Sequence, residues 1–218
     1  MRPDVSTKPA ATTAGLPKWT LLALIAGFVL VADQATKYLA VEHLTQLDRA
    51  VGAQDFGAKL HAFVSEKELL ERGLADREPV VVVRTFWQYR YTQNRGAAWG
   101  FLAGAGEKFR VPFFYLVSIA AVIFIFSYYR KLSNDQRYLQ ISLSLVLGGA
   151  LGNALDRVIR GYVIDFIDWH WADPNWLRPS LHWPTFNVAD AGISVGLVLL
   201  ALDMLLAKKP EAKAAARG

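Results

Sequence analysis

Four long apolar segments constrain this chain more than any other feature. They cover residues 19–44, 111–129, 138 to about 155, and 186–206. A helix needs about 20 apolar residues to cross the hydrocarbon core of a bilayer, so each segment predicts a transmembrane helix. The first must continue past Asp33 to be long enough. With 53% hydrophobic and 20% charged residues, the composition is also too apolar for an ordinary soluble domain of 218 residues.

The chain between the first two segments has a different character. Residues 45–79 carry mixed charges and predict a water-exposed insert, with a short amphipathic helix near residues 63–74. The β-branched and aromatic residues at 80–83 and 86–91 predict two strands, followed by a turn at Asn94-Arg95-Gly96. The predicted fold class is therefore an all-α membrane protein, with four transmembrane helices and a small β-sheet at the membrane interface.

The distribution of charge predicts the orientation in the membrane. The 130–137 loop and the 208–218 tail are rich in Lys and Arg, whereas nine basic and nine acidic residues balance over positions 42–108. By the positive-inside rule, both termini are cytoplasmic, and the strands face the periplasm of a bacterial inner membrane. We expect a disordered cytoplasmic arm at 1–17, a transmembrane domain at 18–207 that includes the outer region 45–108, and a cytoplasmic tail at 208–218.

Composition also limits the classes of function. The net charge is +5, but the basic residues lie beside apolar segments and do not follow one face, which favours membrane orientation over nucleic-acid binding. The absence of cysteine excludes disulfides, thiol nucleophiles and cysteine-based metal sites. His43 and His61 are remote from His170 and His182, which are twelve positions apart in a predicted loop. A metal site in that loop is possible but not favoured, and we predict no cofactor.

Polar residues are concentrated where the third and fourth apolar segments adjoin their connecting region. A carboxylate at hydrocarbon depth costs about 3 kcal/mol or more, so such residues normally have a function. Asp165 and Asp190 lie on either side of a Trp- and Pro-rich connection that could fold both back to one place. Since two close carboxylates cannot both ionise, one would keep its proton. We predict that they form a catalytic pair that hydrolyses peptides at a membrane surface.

Other polar residues near this stretch could belong to the site or could have a structural role. Asn153, Asp156 and Arg157 share one helix face, and Asn187 lies one turn before Asp190. Asp156 and Arg157 could instead form an interfacial ion pair, which is the reading we favour for Arg157.

Three further acidic residues are expected to have structural or surface roles. Asp33 and Lys37 are spaced i, i+4 and more often form a structural pair than a catalytic one. Asp168 and Asp173 are expected to be exposed in a loop.

Two other classes of protein remain open at this point. A proton- or cation-coupled transporter also places carboxylates within its spans, but it predicts polar residues throughout the membrane depth. Here the polar residues cluster at one end, and the second apolar segment has almost none. A non-enzymatic membrane scaffold would tolerate substitution of both aspartates.

Five sequence blocks closely resemble the lipoprotein signal peptidases, or signal peptidase II, which are aspartyl proteases of the bacterial inner membrane. The blocks are DQATK at 33–37, NRGAAWGF at 94–101, GGALGNALDR at 148–157, GYVIDF at 161–166 and FNVAD at 186–190. Each block alone is weak evidence for this resemblance. The five blocks together are highly specific, because they occur in the same order as in the family and in the same places relative to the spans.

The resemblance implies a fold, a substrate and a set of site residues. The fold is four transmembrane helices with a periplasmic β-cradle, and the substrate is a diacylglyceryl prolipoprotein, cut before its lipidated Cys. Globomycin, a cyclic peptide, is the known inhibitor of this family. Asp165 and Asp190 match the catalytic dyad. Positions that support the dyad or hold the substrate are matched by Asn94, Asn153, Asp156, Arg157 and Asn187.

Overall fold

A computed structural model describes residues 15–65, 69–75, 77–96, 106–171 and 181–206. Most of the predicted arm at 1–17, the tail at 208–218 and part of the 94–101 block lie outside the described residues, as does Asp173. The described chain forms, in order, α1 (Lys18–Leu44), α2 (Leu47–Val51), α3 (Phe56–Ser65), β1 (Val80–Val83), β2 (Trp87–Asn94), α4 (Glu107–Tyr129), α5 (Arg137–Arg160), β3 (Val163–Trp171), β4 (Leu181–His182) and α6 (Val188–Leu206).

Within the described ranges, four helices are long and apolar enough to cross a membrane, namely α1, α4, α5 and α6. They coincide with the four apolar segments, and together with a four-stranded sheet they confirm the predicted fold class. The helix α5 is central, since it packs against each of the other three. It also continues five residues past the predicted end at Leu155, to Arg160.

The sheet lies at one end of the helical bundle. Its strands are antiparallel in the order β1-β2-β3-β4. The chain leaves α1 and α5 to enter the sheet region and returns from it into α4 and α6, so these four helix ends lie on the sheet side. The strands β1 and β2 confirm the two predicted ones. Asp168 and His170 were predicted to lie in a loop, which was wrong, because residues Val163–Trp171 form β3, a strand that pairs with β2 and with β4.

The insert after α1 folds differently from its prediction. Helices occur at Leu47–Val51 and Phe56–Ser65, whereas the pattern at 63–74 predicted one helix there. Phe63 and Leu69 are buried in one core and Leu74 packs against it, but Gly73 has a φ of 65°, a left-handed conformation that interrupts a helix. The apolar pattern thus identified residues that are buried, not residues that share one helix.

Glycines allow α5 to approach its neighbours closely. A Cβ atom on Gly148 would lie 2.7 Å from Val29 Cβ of α1, and one on Gly196 of α6 would lie 2.7 Å from the carbonyl oxygen of Ser142. A Cβ on Gly149 would collide with the carbonyl oxygen of Ala189. The helix contacts therefore rely on small residues, as is common between membrane helices.

Replacing Gly149 with alanine tests this packing. We expect Gly149→Ala to lower the free energy of unfolding by about 1–3 kcal/mol, because the added methyl group meets a backbone oxygen that cannot rotate away. Gly27→Ala in α1 is the control, since no described atom beyond the local helix backbone lies within 4 Å of the added Cβ. Thermal unfolding of both variants in one detergent measures the difference, and equal midpoints would contradict the prediction.

Candidate active site

The two aspartates reach the same place from the sheet and from a helix. Asp165 is the third residue of β3, and Asp190 lies in the first turn of α6. Phe186 forms a bridge with Ile167 of β3, which returns the chain to the sheet directly before α6 begins. This return brings Asp190 back to the strand that carries Asp165.

Asn187 links both carboxylates. Its side-chain Nδ2 donates to Asp165 Oδ1 at 2.7 Å. Its backbone N–H donates to Asp190 Oδ2 at 3.3 Å, and its Oδ1 accepts the N–H of Asp190 at 2.9 Å. This reciprocal pair is a capping box, which satisfies free N–H groups at the start of α6. The cap of the helix therefore also fixes the two carboxylates relative to each other.

Two further asparagines hold the carboxylates from the opposite sides. Asn94, the last residue of β2, donates from Nδ2 to Asp165 Oδ2 at 2.9 Å. Asn153 of α5 donates from Nδ2 to Asp190 Oδ1 at 2.7 Å. The three predicted asparagines are thus brought to the two aspartates, and both oxygens of each carboxylate accept a hydrogen bond.

The surroundings of the two acids allow them to share one proton. Burial, and then the negative charge of Asp190, raises the pKa of Asp165 to about 7, although the hydrogen bonds from Asn94 and Asn187 oppose this shift. Asp190 stands in the first turn of a helix, where the exposed N–H groups favour an anion. Near neutral pH the pair can therefore hold one proton and one negative charge.

A fully buried charge network lies next to the pair. Lys37 Nζ forms ion pairs with Asp33 Oδ2 and Asp156 Oδ2, both at 2.8 Å, and all three side chains are 0% exposed. Lys37 also donates to Asn153 Oδ1 at 3.3 Å. Asp33 Oδ1 accepts the N–H of Ala189, in the first turn of α6, at 3.0 Å. Asp33 and Lys37 thus have the structural role that was expected, and they also support Asn153.

Asp156 belongs to this network and joins it to the sheet. Its Oδ1 accepts from Arg160 Nη1 at 3.0 Å, and its Oδ2 accepts the N–H of Ile164, next to Asp165, at 3.1 Å. The proposed ion pair between Asp156 and Arg157 does not form, because the partners of Asp156 are Lys37 and Arg160. The i, i+4 spacing of Asp156 and Arg160 in the sequence was a signal for this pairing.

Arg157 points instead towards the start of the segment that follows β2. Its guanidinium lies 4.7 Å from the ring centre of Phe114, and its nitrogens lie 3.4 Å from the carbonyl oxygens of Gly96 and Asn153. It has no ion-pair partner among the described residues. Its positive charge interacts most strongly with the carboxylates of Asp190 and Asp165.

Two residues of the site were missed from sequence. Arg160 was not singled out, and Gln34 donates to both Asp33 Oδ2 and Asp156 Oδ1 at 3.1 Å. The position of Gln34 next to Asp33 on α1 gave no signal, since its partner Asp156 is 122 residues away. Asp168 was expected to be exposed, which was wrong: it is 0% exposed within β3.

Loss of the Lys37 charge should destabilise the protein strongly. Lys37→Met leaves two buried carboxylates without their cation, which typically costs about 3–5 kcal/mol. Lys59→Met is the control, because Lys59 pairs with Glu42 and Asp48 in a partly exposed setting, where ion pairs contribute about 0–1 kcal/mol. Thermal unfolding in detergent compares them, and similar losses for both variants would contradict the buried network.

Comparison with known proteins relates this geometry to a family. The model of the family described as Signal peptidase (SPase) II matches residues 25–206. A lipoprotein signal peptidase of Anaeromyxobacter sp. (strain Fw109-5) is 51% identical over 185 residues, which cover 85% of this chain and 84% of that protein. A lipoprotein signal peptidase of Geobacter sulfurreducens is 42% identical over 146 residues, covering 67% of this chain and 86% of that protein.

Solved structures agree with the sequence relatives. A bacterial membrane enzyme determined by the in meso method at 2.3 Å resolution superposes with a TM-score of 0.60 and 26% identity, covering 90% of this chain and 95% of that one. These findings favour the peptidase hypothesis over a transporter or a scaffold. Since the family model spans most of the chain and the relatives are similar over most of their length, this chain belongs to the signal peptidase II family of membrane peptidases.

Proposed function

We propose that this protein is an aspartyl endopeptidase that removes the signal peptide from diacylglyceryl-modified prolipoproteins, cutting before the lipidated Cys, with Asp165 and Asp190 as its catalytic pair. The observation that carries this proposal is the bridge of Asn187, which contacts both carboxylates. Two buried acids that both accept hydrogen bonds from one residue, with one proton between them, are the minimum needed for peptide hydrolysis by water.

In the proposed mechanism the ionised carboxylate takes a proton from a water molecule as the water oxygen attacks the scissile carbonyl carbon. The protonated carboxyl group first donates to the carbonyl oxygen, and a proton then passes to the leaving nitrogen as the C–N bond breaks. The pair titrates as a unit, so neither residue is assigned permanently as acid or base. Asn94 and Asn153 would keep the two carboxyl groups oriented during these transfers.

The position of the pair suits a lipidated substrate. Asp190 starts a membrane helix and Asp165 lies in the sheet beside it, so the pair is at one end of the bundle. Each buried methylene of an acyl chain contributes about 0.8 kcal/mol to membrane binding, which holds the scissile bond near the interface. The enzyme can then bind the peptide without extracting its lipid. An inhibitor of the globomycin type would compete at this position.

Charge and helix-end contacts support the proposed orientation. Lys18 Nζ donates to the carbonyl oxygens of Arg130 and Leu132, and Arg137 donates to that of Leu16, so the basic loop and the start of α1 meet at the end away from the sheet. We infer that this basic end is cytoplasmic and that the pair faces the periplasm of the inner membrane.

Substitution of either catalytic aspartate tests the proposal. We expect Asp165→Asn and Asp190→Asn each to lower kcat by about 10²–10⁴-fold or more, because proton transfer from a positioned group is lost. The measurement is cleavage of a diacylglyceryl prolipoprotein in detergent. Asp203→Asn is a control on the same helix, about 20 Å further along, and should retain activity. Near-normal turnover in Asp165→Asn or Asp190→Asn would refute the mechanism.

The pKa of Asp165 predicts a pH dependence. The pKa of its carboxyl group is raised from 3.8 to about 7, so the pair keeps its proton up to that pH and loses it above. We expect kcat/KM to fall about tenfold per pH unit above pH 7, since kcat/KM reports the free enzyme. Stability should also decrease as the pH rises. Between about pH 4 and pH 7 the folded protein keeps this proton and the unfolded chain does not, so the midpoint of unfolding should decrease over that range and then level off.

Asp165→Asn provides the control for that pH dependence. An asparagine does not titrate, so the unfolding midpoint of this variant should depend less on pH than that of the unchanged protein. The variant should still fold. A kcat/KM that stays constant to pH 9 in the unchanged protein would contradict the role of a shared proton.

A further inference from the structure

A second cluster of polar residues lies in the sheet, apart from the catalytic pair. Asp168, His170 and His182 each offer a ligand atom, and these atoms lie within 4.8 Å of one another. His170 and His182 are opposite each other in the β3-β4 ladder, with ring centres 5.4 Å apart. His182 Nδ1 lies 2.8 Å from Asp168 Oδ1. The pairing of β4 with β3 thus unites histidines that are twelve positions apart in sequence.

The ring of His170 presents an unused nitrogen. Its Nε2 lies 3.3 Å from the carbonyl oxygen of Arg84, which can only accept, so this nitrogen carries the proton. Its Nδ1 then has a lone pair. That atom is buried and has no hydrogen-bond partner among the described residues, and His170 as a whole is 5% exposed. A backbone carbonyl that fixes the tautomer of a histidine is the usual arrangement around metal-binding imidazoles.

Asp168 is similarly prepared. Gln88 Nε2 donates to its Oδ2 at 2.7 Å, and Arg90 Nε lies 3.6 Å from the same oxygen. Oδ1 therefore remains for His182 or for a ligand. The side chain of Arg90 is 46% exposed, so it can turn into solvent when a cation binds.

The cluster is separate from the catalytic carboxylates. Successive side chains of a strand point to opposite faces, so Asp168 and His170 share the face of Phe166, whereas Asp165 points to the other face. Asp168 is three residues beyond Asp165, which corresponds to about 10 Å along the strand. A ligand held by the cluster would not occupy the catalytic position.

We propose that Asp168, His170 and His182 form a binding site for a divalent transition metal ion, with zinc as the expected occupant. Two imidazoles and one carboxylate suit Zn²⁺, Ni²⁺ or Cu²⁺, whereas Ca²⁺ and Mg²⁺ prefer oxygen ligands alone. Tetrahedral zinc ligands are about 3.5 Å apart, so the atoms need to close by about 1 Å. The two-residue strand β4 that carries His182 can supply this movement.

The role of the ion would be to fasten β4 to β3. Among the described residues, the ladder between these strands has two residue pairs, and the chain beyond it leads through Phe186 into α6. An ion bound by both strands would replace the proton between His182 and Asp168 and strengthen this return. It would therefore stabilise the segment that leads to the start of α6.

Zinc binding to the full-length protein without a histidine tag tests the site. We expect one Zn²⁺ per chain with a micromolar or tighter Kd, measured by calorimetry in detergent, and visible absorption bands when Co²⁺ is used instead. His182→Asn and Asp168→Asn should weaken binding at least tenfold. Because His182 is partly exposed, His182→Asn is the variant that tests the site without disturbing the core.

His43→Asn is the matched control, since it removes an exposed histidine of α1 outside the cluster. It should leave the Kd unchanged. Zn²⁺ should raise the unfolding midpoint of the unchanged protein and of His43→Asn, but not that of His182→Asn, because an ion that binds only the folded state stabilises it. Absence of binding at about 100 μM Zn²⁺, which is 100 times a micromolar Kd, would overturn the proposal. Equal Kd values for His182→Asn and the unchanged protein would also overturn it.

Discussion

The ammonium group of Lys37 holds together the elements that build the active site. It is buried between Asp33 and Asp156, so neither carboxylate is left without a counter-charge. Asp33 in turn binds the N–H of Ala189 in α6, and Asp156 binds that of Ile164 in β3. One cation on α1 is therefore connected to both segments that carry the proposed catalytic aspartates. Removal of any one of these three charged side chains leaves a buried charge without its partner, which is why the arrangement is stable only when complete.

The same hydrogen bonds serve folding and chemistry in this site. Asn187 caps α6 and also bridges Asp165 and Asp190, so the helix begins where the carboxylates must be positioned. Asn153 accepts from Lys37 and donates to Asp190, which links the buried network to the proposed reaction. These amides cannot become charged, and they therefore orient the pair without fixing which acid carries the proton.

The β-sheet supplies what the helices alone cannot. The helices meet through glycines and apolar side chains, and their outward faces are rich in exposed large hydrophobic residues suited to lipid. The strand β3 is buried along most of its length, and Asp165 lies where β3 pairs with Thr92 of β2. Its opposite face carries Asp168 and His170. One strand thus presents the proposed catalytic carboxylate on one face and two residues of the proposed metal site on the other.

The sequence by itself determined the features that depend on local properties. Crossing a bilayer requires about 20 apolar residues in succession, so four spans could be located by composition, and the β-branched run at Val80–Val83 identified a strand. The catalytic pair and its three asparagines were likewise predicted, from polar residues in apolar surroundings and from the sequence blocks. Their joint position in the structure supports that prediction.

Only the tertiary structure decided which residues are partners. The first four residues of VIDFIDWHW are buried on both faces and lack the alternation that marks a half-buried strand, so β3 is recognised by its pairing with β2 and β4. The sequence suggested Arg157 as the partner of Asp156 because the two residues are adjacent in the chain. In the fold, the partners of Asp156 are Lys37 of α1 and Arg160. Contacts over more than a hundred residues leave no periodic trace in a single sequence, and they exist only once the helices and the sheet have packed together.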